Sequence, residues 1–301
     1  MENITIASRA DGLPLSVSVL RPEGEVRALV QLSHGMAEHK ERYFPLMQYL
    51  ADAGFACMIN DHRGHGASVK SADDLGYFYK NGDTALVDDL HQLNAWFRAQ
   101  YPGKKLILVG HSMGSFAARA FAAKYGDEID GLILSGSPGY NAAAPVALAL
   151  IGLIGAFKGE HAHSRFLDSL LSGGFSKNFP GDSPFLWLSA NRENVAAYDA
   201  DPLCGFPFTV NGYRALVKLM RAAYDRKKPI RAELPVWFMS GSDDPCAPDE
   251  AGFRAAIQNF RDRGSRTADG KMYPGLRHEI FNEGAPEVWS DLREKLIAWT
   301  K

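Results

Sequence analysis

The chain has 301 residues, and at about 150 residues per domain it holds two domains or one large α/β domain with an insertion. Hydrophobic residues make up 46% and charged residues 23%, a globular balance that excludes disordered and collagen-like chains. Lys and Arg number 33 against 35 Asp and Glu, a net charge of −2, with no run of like charge long enough for a nucleic-acid-binding arm.

From the amino terminus, Ile4 to Ala7 and Leu15 to Leu20 alternate polar and apolar residues around Asp11-Gly12, the pattern of a hairpin. Met1-Glu-Asn-Ile has an acid where a secretion signal needs a base, which predicts a cytoplasmic protein. Three widely spaced cysteines, Cys57, Cys204 and Cys246, form no disulfide framework and suit a reducing compartment. Continuous apolar runs follow at Ala28 to Leu32, Phe55 to Ile59, Leu106 to Val109, Leu132 to Leu134 and Val236 to Met239. Such runs are strands buried on both faces, as in a parallel sheet. Helical patterns separate them at Tyr43 to Ala53, Thr84 to Gln100 and Ser115 to Tyr125. This alternation predicts an α/β sheet with helices on both faces.

The rhythm breaks from residue 137 to 231, where helical patterns occur without a convincing buried strand. This predicts core segments 1–136 and 232–301 and a helical cap or lid inserted at 137–231. Within it, Pro145 to Phe157 has no charged or hydrogen-bonding side chain. At 1.5 Å per residue it is about 20 Å long, too short to span a bilayer. Val146, Leu150, Leu153, Ile154 and Phe157 share a helical stripe, with Ala149, Gly152, Gly155 and Ala156 towards the other side. The stripe is either buried over the active site or a transient contact with a membrane surface, which would make the protein peripheral. The small residues would let the helix pack closely on its neighbours. The basic stretch Arg221 to Arg231 also holds Asp225 and reads as a solvated helix end.

The chemistry centres on Gly110-His-Ser112-Met-Gly114, a G-x-S-x-G run. With 29 glycines in the chain, about 0.2 such matches arise by chance, so its context carries the argument. A strand runs into it and a helical pattern runs out, which places Ser112 on a sharp turn at the carboxyl end of the sheet. A serine hydroxyl needs a base held by a third group. In this arrangement the acid and the histidine follow later strands. After Val236 to Met239 comes Ser240-Gly-Ser-Asp243-Asp244-Pro245, and after Lys271-Met-Tyr comes Pro274-Gly-Leu-Arg-His278. The residues leave the choice between Asp243 and Asp244 open. An oxyanion needs two backbone donors: Met113 N–H, after the nucleophile, and Met36 N–H, in the loop Ser33-His-Gly-Met-Ala-Glu-His39. His34 with His39, and His161 with His163, lack a third ligand at metal spacing, so neither a metal nor another cofactor is expected.

These motifs are similar to those of the monoglyceride lipase and lysophospholipase branch of the α/β-hydrolases. The resemblance is densest at His34 to Tyr43, Asp61 to Ser68, Gly110 to Gly114, Gly241 to Asp244 and Tyr273 to Glu279. It implies a mostly parallel eight-stranded sheet and Asp244, the fourth residue of its G-S-x-D run, as the acid. It also supports Met36, Met113 and His278 in the roles above, and makes Asp61 to Ser68 a structural turn. The function it implies is hydrolysis of lipid-type carboxylic esters, small molecules such as monoacylglycerols or lysophospholipids, through an acyl-enzyme on Ser112. A serine aminopeptidase or carbon–carbon hydrolase on the same triad is an alternative, with Glu160, Asp168 or Glu193 to hold an ammonium. A non-catalytic ligand-binding protein of the same fold is another.

Overall fold

The computed structural model describes residues 1–171, 174–247 and 249–301. Its strands are β1 (Glu2–Ala7), β2 (Pro14–Leu20), β3 (Ala28–Ser33), β4 (Phe55–Asn60), β5 (Leu106–His111), β6 (Gly131–Ser135), β7 (Val236–Gly241) and β8 (Asp269–Tyr273). They form one eight-stranded sheet in the order β1-β2-β4-β3-β5-β6-β7-β8. The β1–β2 and β2–β4 pairings are antiparallel and the rest parallel. The expected hairpin turns through Gly12, at φ +72°.

The helices are α1 (Phe44–Asp52), α2 (Gly82–Gln100), α3 (Met113–Tyr125), α4 (Ala144–Lys158), α5 (Arg165–Leu171), α6 (Arg192–Ala200), α7 (Val210–Ala223), α8 (Glu250–Asp262) and α9 (Pro286–Trp299). Because side chains alternate along a strand, each central strand feeds two cores. Leu106 and Leu108 of β5 pack with Leu90, Phe97 and Phe121 on the α2–α3 face. Ile107 and Val109 pack with Leu46, Leu50, Leu292 and Leu296 on the α1–α9 face. Near-continuous apolar strands are therefore what a sheet covered on both sides requires.

Helices α4 to α7 all fall between β6 and β7, and the one bridge outside the sheet in the described residues joins His163 to Thr209. On α4, Ala144, Ala147, Ile151 and Gly155 are buried, whereas Leu153 and Phe157 are 58% and 83% exposed. Ala149, Gly152 and Ala156 are exposed as well, so close packing through the small residues is confined to Gly155, against Arg214 and Val210 of α7. The reason is geometric. The buried positions run at spacings of three and four through 144, 147, 151 and 155, a line that misses the other three small residues.

The turn from Asp61 to Ser68 is built on buried charge. Asp61 accepts from Lys40 N at 2.9 Å, Lys40 Nζ at 2.8 Å and Ala67 N at 3.0 Å. Arg63, fully buried, pairs with Asp89 at 2.8 Å and Asp11 at 3.0 Å. Removing one partner of a buried pair strands the other charge, which costs about 3–5 kcal/mol. Asp89→Ala is therefore expected to lose about 3 kcal/mol of unfolding free energy, the low end because Asp11 remains. Chemical denaturation measures it, and a loss too small to resolve would mean Arg63 is compensated elsewhere.

Candidate active site

Strand β5 delivers Ser112 to the mouth of α3 on a backbone at φ +51°, ψ −118°. A non-glycine residue there is strained by about 1–3 kcal/mol. The strain is sustained because Ser112 N–H donates to Ser135 O at 3.0 Å and Ser115 Oγ donates to Ser112 O at 2.6 Å. Gly110 and Gly114 are required by close approach. A Cβ on Gly114 would be driven into the Ser33 and His34 carbonyls, and one on Gly110 into Gly114 and Ala118.

The loops after β7 and β8 are fastened to each other. Asp243 N–H donates to Leu276 O at 3.0 Å and Gly275 N–H to Ser242 Oγ at 2.8 Å. A Cβ on Gly241 would strike the Leu276 and Arg277 carbonyls. This seam brings His278 and Asp244 together: Nδ1 lies 3.0 Å from each Asp244 carboxylate oxygen, and Nε2 lies 2.8 Å from Ser112 Oγ. Asp244 is buried and also accepts from Cys246 N at 2.8 Å, whereas Asp243 is exposed. Burial disfavours an imidazolium, but the Asp244 carboxylate outweighs it and holds His278 well above the ordinary histidine value of 6.5. His111, whose ring lies 4.8 Å from that of His278, is pushed down to about 3, first by burial and then by the His278 charge.

Gly35, Met36, His111, Ser112 and Met113 line a cavity of about 680 Å³. The Met36 and Met113 N–H groups donate to no protein acceptor among the described residues. The remaining wall is mostly apolar and largely from residues 137–231, including Leu171, Phe175, Trp187, Phe206 and Met220. Trp187 stands over His278, ring to ring at 5.1 Å. Of the acids considered for an ammonium, Asp168 reaches the cavity wall, with one oxygen engaged by Tyr213 OH, and Glu160 and Glu193 do not.

A buried charge cluster, legible in the sequence only as fragments of motifs, lies against the loop that carries Met36. Glu38 accepts from Gly35 N–H at 2.5 Å and Tyr43 OH at 2.9 Å, and pairs with Arg42 at 2.6 Å. Arg42 also grips both oxygens of Glu279 at 2.6 and 2.7 Å. Burial favours the neutral acid at Glu279, yet Arg42 holds it down at about 2. Helix α6 joins the cluster through Asn194, whose amide nitrogen lies 3.0 Å from Glu279. The Ala37 carbonyl, on a residue at φ +50°, accepts from Tyr198 OH at 2.7 Å and Gly205 N–H at 2.9 Å.

Three groups of His, Cys and carboxylate side chains have ligand atoms at metal-like spacing: His39 with Asp201 and Cys204, Asp244 with Cys246 and His278, and Glu38 with His111 and Glu279. The carboxylates of all three are already engaged by protein donors. His34 is likewise occupied, accepting from His62 N–H at 2.9 Å and facing Gly35 O at 2.8 Å.

The sheet order and the serine turn define an α/β-hydrolase. The chain belongs to the family described as serine aminopeptidase, S33, whose model matches residues 24–285. It is 32% identical over 273 residues to a monoacylglycerol lipase of Mycolicibacterium smegmatis, covering 90% of this chain and 88% of that one. It is 28% identical over 294 residues to the monoglyceride lipase of Homo sapiens, covering 96% and 88%. Among solved structures it is similar to a highly thermostable carboxyl esterase from Bacillus coagulans, with a TM-score of 0.88, 27% identity and coverage of 99% and 97%.

Glu38 fixes the peptide that precedes the Met36 N–H, so Glu38→Gln weakens a charge-assisted bond there. Losing one oxyanion donor outright costs about 10²–10³ in turnover. Misaiming one is expected to cost about tenfold in kcat with KM nearly unchanged. Steady-state kinetics separates the two, and a change confined to KM would remove Glu38 from this role.

Proposed function

We propose that the chain is a lipid-ester hydrolase in which Ser112 is the nucleophile, His278 the base and Asp244 the orienting acid. The observation that carries the reading is the hydrogen-bonded line Asp244–His278–Ser112, opening into an apolar cavity beside two undonated N–H groups. In the first step Ser112 Oγ adds to the ester carbonyl as its proton passes to His278 Nε2. The oxyanion is received by Met36 and Met113 N–H, and Asp244 stabilises the imidazolium through Nδ1–H. The tetrahedral intermediate expels the alcohol, which takes the proton from Nε2. Water then attacks the acyl-enzyme with His278 again as base, releasing the acid and restoring Ser112.

Residues 137–231 act in this reading as the cap, and their apolar side chains receive the acyl chain. Ester rather than amide cleavage is supported by the mostly apolar wall: Arg42 occupies Glu38 and Glu279, and Asp168 alone of the three acids considered for a substrate ammonium reaches the cavity, with one oxygen engaged by Tyr213 OH. The names of the relatives point to monoacylglycerols as the substrate class. No helix among the described residues is long and apolar enough to cross a membrane. The exposed face of α4 instead supports transient docking on a lipid surface, where Leu153 and Phe157 would leave water.

One substrate panel tests both parts: short p-nitrophenyl esters, aminoacyl nitroanilides and long monoacylglycerols in vesicles. Wild type is expected to cleave both ester classes and Ser112→Ala neither. Faster turnover of the nitroanilides would overturn the ester reading. Removing two large side chains from an apolar contact costs about 3 kcal/mol. Leu153→Ser/Phe157→Ser is therefore expected to bind vesicles about a hundredfold more weakly and to keep its melting temperature and short-ester activity. Uniform loss on every substrate would instead place this face in the core.

A further inference from the structure

A second cavity, of about 990 Å³, lies between the end of α7 and one face of α8. Lys218, Arg221, Arg226 and Lys227 stand exposed around it. Among the described residues only Arg226 of these four has a carboxylate within 4.0 Å, Asp262 at that limit. The α8 side contributes Gly252, Ala255, Ala256 and Asn259, which add neither bulk nor charge. The acids beside it are Asp262; Asp225, on the wall with an oxygen engaged by Lys227 N–H at 3.0 Å; and Asp249, which caps α8 through Gly252 N–H at 2.6 Å.

Beneath this basic rim are two more cations. Arg119 and Arg263 are buried, and neither has a carboxylate within ion-pair distance among the described residues. Arg119 lies on aromatic faces, 3.7 Å from the Tyr224 ring centre and 5.3 Å from that of Phe260, and Arg263 lies 5.5 Å from Phe260. Those faces compensate a guanidinium only in part. Burial lowers the pKa of both, opposed at Arg119 by Tyr224; Arg263 falls to about 10, with Arg119's charge adding to burial and the Asp225 carboxylate opposing it. Arg119 Nε and Arg263 Nη2 have no hydrogen-bond partner among the described residues. Arg263 donates to the neutral Ala223 and Lys228 carbonyls at 2.7 and 2.8 Å and Arg119 to Ser137 Oγ at 3.2 Å, and both guanidiniums converge on Asn259 Oδ1, at 3.2 and 3.4 Å. Asn259 thus turns its carbonyl to the arginines, and its amide nitrogen has no acceptor among the described residues. An amide stands where a carboxylate would have neutralised the pair.

We propose that this cleft is a binding site for a phosphate-bearing ligand, whose negative charge balances a set of cations that Asp225 and Asp262 offset only in part. Phosphate suits it because several oxygens can be shared among lysine and arginine donors at once, and low-dielectric surroundings strengthen the field of the buried pair. The cleft shares Gly139 and Tyr140 with the wall of the ester-cleaving cavity, so the ligand sits beside that site. The proposal does not depend on the reaction, because it is read by binding.

The test is calorimetric titration of the full chain with inorganic pyrophosphate, and co-sedimentation with phosphatidylcholine vesicles with and without phosphatidic acid. Wild type is expected to bind pyrophosphate if the ligand is a soluble phosphate compound, or only the phosphatidic acid vesicles if it is a lipid headgroup. Lys218→Gln/Arg221→Gln is expected to weaken that binding at least tenfold. Asn259→Asp is expected to abolish it while raising the melting temperature, since the new carboxylate pairs with Arg119 and Arg263. That rise separates loss of the site from loss of the fold. If wild type binds neither probe, or both variants bind as well as wild type, the proposal is overturned.

Discussion

The site depends on one strained residue. Ser112 is held at positive φ between β5 and α3, and that geometry lifts its hydroxyl clear of the sheet edge. It exists only because Gly110 and Gly114 let the helix start press against the β3 loop. The same compression brings Ser112, Met113 and the Gly35–Met36 segment to the wall of one cavity, so the proposed nucleophile and donors are products of one packing event. The cost of about 1–3 kcal/mol is spread over the two buried cores on either side of the sheet.

Charge then links the parts that packing brings close. Arg42 lies between Glu38, which steadies the donor loop, and Glu279, the neighbour of His278. With one guanidinium between two carboxylates, moving either loop would strand a buried charge. Helix α6 reaches the same cluster through Asn194, and Tyr198 fixes Ala37. The segment that walls the cavity is thus fastened to the loop expected to receive the oxyanion. In the proposed reaction, substrate entering between them would meet donors that are already held in place.

Much of this was legible in the residues. The apolar runs at 28–32, 55–59 and 106–109 each became a central strand because burial on both faces leaves a continuous apolar signature. The pairing of His278 with a carboxylate was legible from motif order alone. The choice of Asp244 over Asp243 was not, since adjacent aspartates look alike until the turn buries one and exposes the other. The Glu38–Arg42–Glu279 cluster joins positions 237 apart, and no local pattern announces such a contact. Helix α4 shows a different limit. A segment without polar side chains fits a core or a lipid surface equally well, and only its neighbours decide which side is covered. The basic stretch after α7 read as a solvated helix end because the buried Arg119 and Arg263 beneath it are distant in sequence.

The central claim is that Asp244 sets the state of His278, and the pH dependence of kcat/KM tests it most directly, since it reports groups of the free enzyme. The base must be neutral, so activity is lost as pH falls through the His278 pKa. For wild type that limb is expected above 6.5, where the Asp244 charge holds it. In Asp244→Asn burial, the largest influence on His278, loses its main opponent, and the limb should move below 6.5 as turnover falls by about 10⁴, whereas Asp243→Asn should match wild type. A wild-type limb below 6.5, or one that Asp244→Asn leaves in place, would contradict the account.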